Sequence, residues 1–363
     1  MYLVGWLYDC WKICKLPDFD SFGCKALVIF DVLKTTPMKL TLPSALDSFS
    51  KATNLDELYP LIHHQFFTAG WHKKRDSLWK SPRTEFKPMH WSYQLGKLAL
   101  DQAGHWMDTE LAERRNLLLY NPVEDNDYDT VRTLVAAYQM IKPGEYAKPH
   151  KHSPNALRFV LEAKPGAFSV VDGVKLPMLS GDILLTPGGT MHSHYNESDA
   201  CAYWIDILDV PLIHLLEPMF FEPSKESIQT VKDSPEHHEY WFKEKELLNN
   251  VSSLLPSDSH SGGSNSHTQI LDSQSHIVTQ CLSYHHLPLN GILNIPRTTV
   301  SRIFCIAHGS GTVNLGGLEV NWKFGDVLAL PSWHEACFNS SEISRIFEIN
   351  DLPVLQKLGL FRQ

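Results

Sequence analysis

The sequence predicts a mainly β protein, two related β-barrels behind a helical N-terminal segment, and three observations predict it. Beyond Tyr120 the chain runs in short stretches rich in Val, Ile, Leu and Phe, parted by Pro-Gly, Asp-Gly and Ser-Gly pairs. Strands at that spacing with tight turns read as a barrel or sandwich. A constant offset of 144 residues carries Gly173 onto Gly317, Gly181-Asp182 onto Gly325-Asp326, Pro187 onto Pro331 and Arg158 onto Arg302. One register for so many positions reads as a duplicated unit. Before Tyr120 the apolar residues Leu46, Phe49, Leu55, Leu58, Leu61, Ile62 and Phe66 recur three and four positions apart, the period of amphipathic helices.

These observations divide the chain of 363 residues. Residues 1–37 read as an extension or as the product of a misplaced start codon, because a cleaner beginning follows at Met38; 38–122 form a helical region, with helices expected over 44–69 and 96–111. The first barrel takes 123–220, with strands expected over 133–141, 157–162, 168–171, 182–186 and 202–207. Residues 221–281 read as a charged, partly helical segment and a Ser/His-rich linker, and 282–363 as the second barrel.

A hydrophobic content of 43% and a net charge of −9 without a dense Lys/Arg run describe a globular protein whose main partner is neither nucleic acid nor an anionic membrane. The seven cysteines, Cys10, Cys14, Cys24, Cys201, Cys281, Cys305 and Cys337, form no paired Cys-x-x-Cys motif, so a reducing, cytoplasmic setting is expected. No apolar run is long enough to span a bilayer.

The chemistry concentrates in the first barrel. His150 and His152 stand two residues apart, so on a strand both rings face one way. With His192 from a neighbouring strand they make a three-imidazole set that leaves coordination positions open on one metal ion. The turn residues fit this placing. Gly144, five residues, then His150-Lys151-His152, followed by Gly181, Pro187, Gly189, His192 and Asn196, match the two motifs of the cupin superfamily. Many cupins add a glutamate after His-x-His. Here Ser153-Pro-Asn-Ala-Leu157 supplies none. Three neutral imidazoles leave the charge of a divalent ion uncompensated, which favours an anionic, bidentate ligand such as an aromatic acid with a neighbouring hydroxyl.

A narrower resemblance rests on Gln139, His150-Lys-His152-Ser-Pro-Asn-Ala-Leu-Arg158-Phe, His192-Ser-His194-Tyr-Asn196 and Trp204-Ile-Asp206-Ile-Leu-Asp209-Val-Pro211. Together these resemble the gentisate 1,2-dioxygenase family, which includes salicylate and 1-hydroxy-2-naphthoate dioxygenases. The resemblance runs from Arg114-Arg115-Asn to Asn350-Asp-Leu-Pro353 and on to Arg362. It implies a bicupin metallated in its N-terminal barrel only, an Fe(II) cofactor, an aromatic hydroxy acid and O2 as substrates, and a homo-oligomer, commonly a tetramer. It also implies that His150, His152 and His192 bind iron, that Arg158 and Gln139 hold substrate oxygens with Arg114 or Arg115 adding positive charge, and that His194 is an acid/base beside the metal. Arg158 lies an even number of residues from His152 and shares its face if the strand runs unbroken.

Under the 144-residue offset His150, His152 and His192 fall on Asn294, Pro296 and Ala336, with His308 and His334 out of register. The second barrel is therefore expected to be metal-free. Asp206 and Asp209 are expected to fix a strand end or a subunit contact, and His237, His238, His260 and His267 to be solvated. The sequence departs from the family at Val135, where many members carry tryptophan, at Gly189 and Met191, where aromatic residues are usual, and at Ser193, which replaces aspartate. These positions shape a pocket rather than bind metal. The expected activity is ring cleavage of a 2-hydroxybenzoate, gentisate first, with salicylate, a substituted salicylate or 1-hydroxy-2-naphthoate as alternatives. A non-catalytic bicupin that binds an aromatic acid, and an isomerase that uses the metal without oxygen, are the rivals.

Overall fold

The computed structural model describes residues 41–72, 77–83, 85–109, 114–252 and 266–363; the expected extension over 1–37 and His260 lie outside them. The chain divides into two units, Met1–Lys80 and Ser81–Gln363. The first unit carries the helices Leu42–Lys51 and Leu55–His64, as the periodicity requires. Asn54 starts the second of them by accepting from the Glu57 amide, while Glu57 reaches back to the Thr53 amide. That reciprocal pair satisfies N–H groups that a helix start would otherwise leave unpaired.

The second unit holds both barrels, each a six-stranded antiparallel sheet folded over a smaller one. In the first barrel the large sheet runs Trp241–Phe242, Ile183–Thr186, Ala156–Glu162, Ala202–Leu208, Val135–Ile141, Arg115–Leu118. The smaller one runs Phe221–Pro223, Tyr146–His152, His192–Asn196, Ala167–Val171, Val174–Pro177. The second barrel repeats this plan with Met89–Trp91, Val327–Leu330, Arg302–His308, Ser344–Asn350, Cys281–Leu287, His267–Leu271 against Ile292–Ile295, Ala336–Ser340, Ser310–Leu315, Leu318–Lys323. The sequence-predicted strands sit within a residue or two of these. Corresponding hairpins turn on Asp172-Gly173 and Gly316-Gly317, all four with positive φ, as a two-residue turn matched to strand twist demands.

The large sheets pack face to face. Tyr138, Phe159, Ile205, Tyr284, Phe347 and Ile349 belong to one buried apolar cluster that spans both barrels. The second barrel is filled by its own apolar set, including Leu293, Ile295, Phe304, Trp322, Ala336 and Phe338.

The repeat is larger than the sequence shows, because each barrel takes its first strand from the segment that precedes the other. Met89–Trp91, ahead of the first barrel, pairs with Val327–Leu330 of the second. Trp241–Phe242, ahead of the second barrel, pairs with Ile183–Thr186 of the first. A helix follows each borrowed strand, Tyr93–Trp106 and Glu244–Ser252 respectively. The Gly-Asp pairs receive them. Asp326 accepts from the Tyr93 amide at 3.0 Å and meets His90 Nε2 at 2.8 Å, while Asp182 accepts from the Glu244 amide at 2.9 Å and the Trp241 indole at 2.8 Å. A Cβ on Gly325 or Gly181 would collide with Tyr93 or Glu244, so glycine leaves the room and aspartate caps the helix. Residues 221–249 are thus bound into the first barrel by Phe221–Pro223 and Trp241–Phe242, and the ladder of the second begins at His267–Leu271. Charge and low apolar content hid these short strands.

Among the described residues no helix is long and apolar enough to cross a membrane. Replacing either buried cap, Asp182→Ala or Asp326→Ala, is expected to cost about 1–2 kcal/mol in urea unfolding. Unchanged stability in both variants would show that the two helices do not depend on these carboxylates.

Candidate metal centre

The three predicted ligands come together inside the first barrel. His150 stands directly opposite His192 in the ladder of the smaller sheet, and a nitrogen from each of His150, His152 and His192 lies within 4.8 Å of the other two. The opposition requires a bulge between Ala147 and His150. Pro149 sits in it, a residue with no N–H to give to a ladder.

Each ring is held by the same device. Nδ1 of His150 meets the Lys148 carbonyl at 3.1 Å, that of His152 the Pro154 carbonyl at 2.9 Å, and that of His192 the Thr190 carbonyl at 3.0 Å. A carbonyl only accepts, so all three Nδ1 atoms carry the proton and all three Nε2 atoms keep a lone pair. Burial together with Arg114 holds His150 down to about 4. Burial also lowers His152, and it lowers His192 well below the usual range. Neutral imidazoles with a fixed tautomer and a common exposed nitrogen are what a first-row divalent metal needs. The donor set fits the ion.

Beneath the triad lies a buried polar layer. Arg158 enters from the large sheet. The condition under which Arg158 would share the face of His152, an unbroken strand, is not met, because the chain turns at Ser153-Pro154-Asn155 between Tyr146–His152 and Ala156–Glu162. Arg158 is 1% exposed and pairs with Asp206 through Nε (2.8 Å) and Nη2 (3.2 Å). Its Nη1 donates to Ser169 Oγ at 2.8 Å and to His194 Nδ1 at 2.9 Å. A guanidinium cannot accept, so the His194 proton resides on Nε2, which has no hydrogen-bond partner among the described residues. Burial and then Arg158 hold His194 well below its ordinary pKa. Trp204 closes this layer, its ring 6.1 Å from that of His194. Asp206, expected at a strand end, is instead the counter-ion that makes a buried arginine tolerable.

Gln139, 3% exposed on Val135–Ile141, accepts from Arg114 Nε at 2.5 Å. The positive charge of Arg114 is felt at His150, His152 and His194. Arg115 is engaged elsewhere: its guanidinium grips both oxygens of Glu145 and the Met107 carbonyl. Its neighbour is left facing the site. Phe221, which sequence reasoning did not single out, lies with its ring 5.0 Å from that of His150.

The second barrel repeats the plan without the bulge. There Ile295 stands opposite Ala336, so the residue in the place of His150 is Ile295, one beyond the Asn294 that a constant offset indicates. Neither Ile295 nor Ala336 offers a ligand atom, and both are part of the apolar filling.

Barrels of this build with a three-histidine centre define a cupin, and a cupin domain model matches residues 137–208. The chain is 31% identical over 347 residues to a 5-aminosalicylate 1,2-dioxygenase from a Comamonas species, covering 88% of this chain and 92% of the relative. It is 28% identical to a gentisate 1,2-dioxygenase from Aquipseudomonas alcaligenes, covering 85% and 95% of the two chains. A salicylate 1,2-dioxygenase variant from Pseudoaminobacter salicylatoxidans, solved in complex with gentisate, has the same fold with a TM-score of 0.74 at 23% identity, over 89% of this chain and 98% of that one. The chain belongs to the gentisate 1,2-dioxygenase family of ring-cleaving bicupins.

The depressed histidines make a stability prediction for the chelator-treated protein. Between about 4 and the unfolded value of 6.5, unfolding lets His150 take up a proton that the folded site refuses. Stability is therefore full above that window and falls as pH drops through it. The melting temperature of the metal-free protein should decline from pH 7 to pH 5, and a rise over that range would contradict the assignment.

Proposed function

We propose that the chain is an Fe(II)-dependent dioxygenase that cleaves the ring of a 2-hydroxybenzoate between the carbons bearing the carboxylate and the hydroxyl, with gentisate as first substrate. The observation that carries the reading is the triad of neutral, Nδ1-protonated histidines, which no carboxylate joins among the described residues and at which the charges of Arg114 and Arg158 are felt. Iron held by His150, His152 and His192 would supply a redox centre at which substrate and O2 react. The remaining roles belong to the protein. Arg114, held by Gln139, supplies a positive charge for an aromatic carboxylate. Arg158, fixed by Asp206, keeps the His194 proton on Nε2, so that His194 acts first as a donor to an oxygen of the substrate. Arg115 braces Glu145 and Met107 and so holds its neighbour in place.

Gentisate and 5-aminosalicylate both carry an electron-donating group opposite the hydroxyl, which supports a 5-substituted salicylate over salicylate itself or 1-hydroxy-2-naphthoate. The reading includes a cytoplasmic homotetramer. Self-association is supported by the outward face of Tyr93–Trp106, which exposes Leu95, Leu98 and Trp106.

The protein loaded anaerobically with Fe(II) and given gentisate, 5-aminosalicylate, salicylate and 1-hydroxy-2-naphthoate, then air, should take up one O2 per ring opened, fastest with the first two. His192→Ala should abolish turnover, and His334→Ala should retain it. No oxygen uptake with any of the four acids would overturn the proposal.

A further inference from the structure

His152 differs from its two fellow histidines in where its hydrogen-bond partner lies. His150 and His192 each bond a carbonyl two residues earlier. His152 bonds forward, to Pro154, in the turn where its strand has ended. The direction of this ring therefore depends on what holds the turn 153–155.

That hold is made by one carboxylate. Asp209, fully buried at the start of the helix Val210–Leu216, accepts from the Asn155 amide at 2.8 Å through Oδ1 and from the Asn155 side-chain amide at 2.9 Å through Oδ2. Its own amide donates to the Asn155 carbonyl at 3.3 Å. Asn155 is thereby gripped by amide, carbonyl and side chain at once. The remaining oxygen of Asn155 accepts from the Gly188 amide at 3.0 Å, and the Gly189 amide donates to the His152 carbonyl at 2.7 Å. The loop leading to His192 is thus stitched to the turn following His152. It fits only as glycine, because a Cβ on Gly188 would lie 2.3 Å from the Ser153 carbonyl oxygen.

The last bond to Asp209 comes from the other barrel. Thr279 Oγ1 donates to its Oδ2 at 2.5 Å and lies 3.1 Å from the Asn155 side-chain nitrogen. Thr279 sits between His267–Leu271 and Cys281–Leu287, two strands of the second barrel's large sheet.

We infer that Asp209 is a positioning residue for the metal ligand His152, and that the metal-free barrel helps to set the metal site through Thr279. The inference rests on the reading of His150, His152 and His192 as metal ligands. Partners that orient a metal-bound histidine are typically worth about 10- to 100-fold in affinity. The test is the Fe(II) dissociation constant of the full-length protein, measured anaerobically by chelator competition, alongside the melting temperature of each metal-free variant. Asp209→Ala should bind Fe(II) about 10- to 100-fold more weakly, and Asp209→Asn, which keeps one acceptor, should recover part of the loss. Thr279→Val should weaken binding about fivefold, the worth of one hydrogen bond. Thr268→Val, which removes a hydroxyl bonded to His285 in the second barrel, should bind as the wild type does. A purely structural role would lower melting temperature and leave affinity intact in the molecules still folded. Wild-type affinity in Thr279→Val and Asp209→Asn would overturn the inference, even if Asp209→Ala does not fold. A wild-type protein that binds no Fe(II) would instead overturn the reading of the triad.

Discussion

One hydrogen bond, made three times, underlies the site: an imidazole Nδ1–H given to a backbone carbonyl. It settles the tautomer of His150, His152 and His192 before any ligand arrives, and it turns one nitrogen of each toward the others. Burial then favours the neutral ring. The bulge at Pro149 sets His150 opposite His192, and the turn held by Asp209 places the carbonyl that His152 needs. A metal site made of loosely placed histidines would have to order three side chains on binding, whereas here that cost has been met in folding.

The two barrels show how one plan serves two ends. In the first, a bulge and three histidines open a polar centre above the Arg158–Asp206 pair. In the second, a regular ladder puts Ile295 opposite Ala336 and the interior closes on itself. An arginine stands at this place in both barrels, Arg158 buried on Asp206 and Arg302 half-buried, 3.1 Å from Glu348. The barrels also depend on each other for a strand apiece, so neither half is a self-sufficient fold.

Much of this was legible in the sequence. The strands carried their own periodicity, and the offset joining GDILLTP to GDVLALP exposed the duplication. The ligands were legible because glycine and proline at fixed places mark the turns that bring His192 to His150 and His152. The parts that depend on pairing were not. A bulge adds one residue to one strand, and no local signal separates His150 opposite His192 from a neighbour one place away. Arg158 would share the face of His152 only on an unbroken strand, and it arrives from the opposite sheet because Pro154 and Asn155 break the strand. Asp206, Ser169 and Asp209 matter through partners remote in sequence, and Met89–Trp91 and Trp241–Phe242 are too short to announce themselves.

The central claim is that this chain holds a single metal centre, built on His150, His152 and His192. Anaerobic titration of the purified, chelator-stripped protein with Fe(II) tests it most directly. Saturation is expected at one ion per chain, lost when any of the three histidines is replaced by alanine. Two ions per chain, or one that persists in the His192→Ala variant, would contradict it.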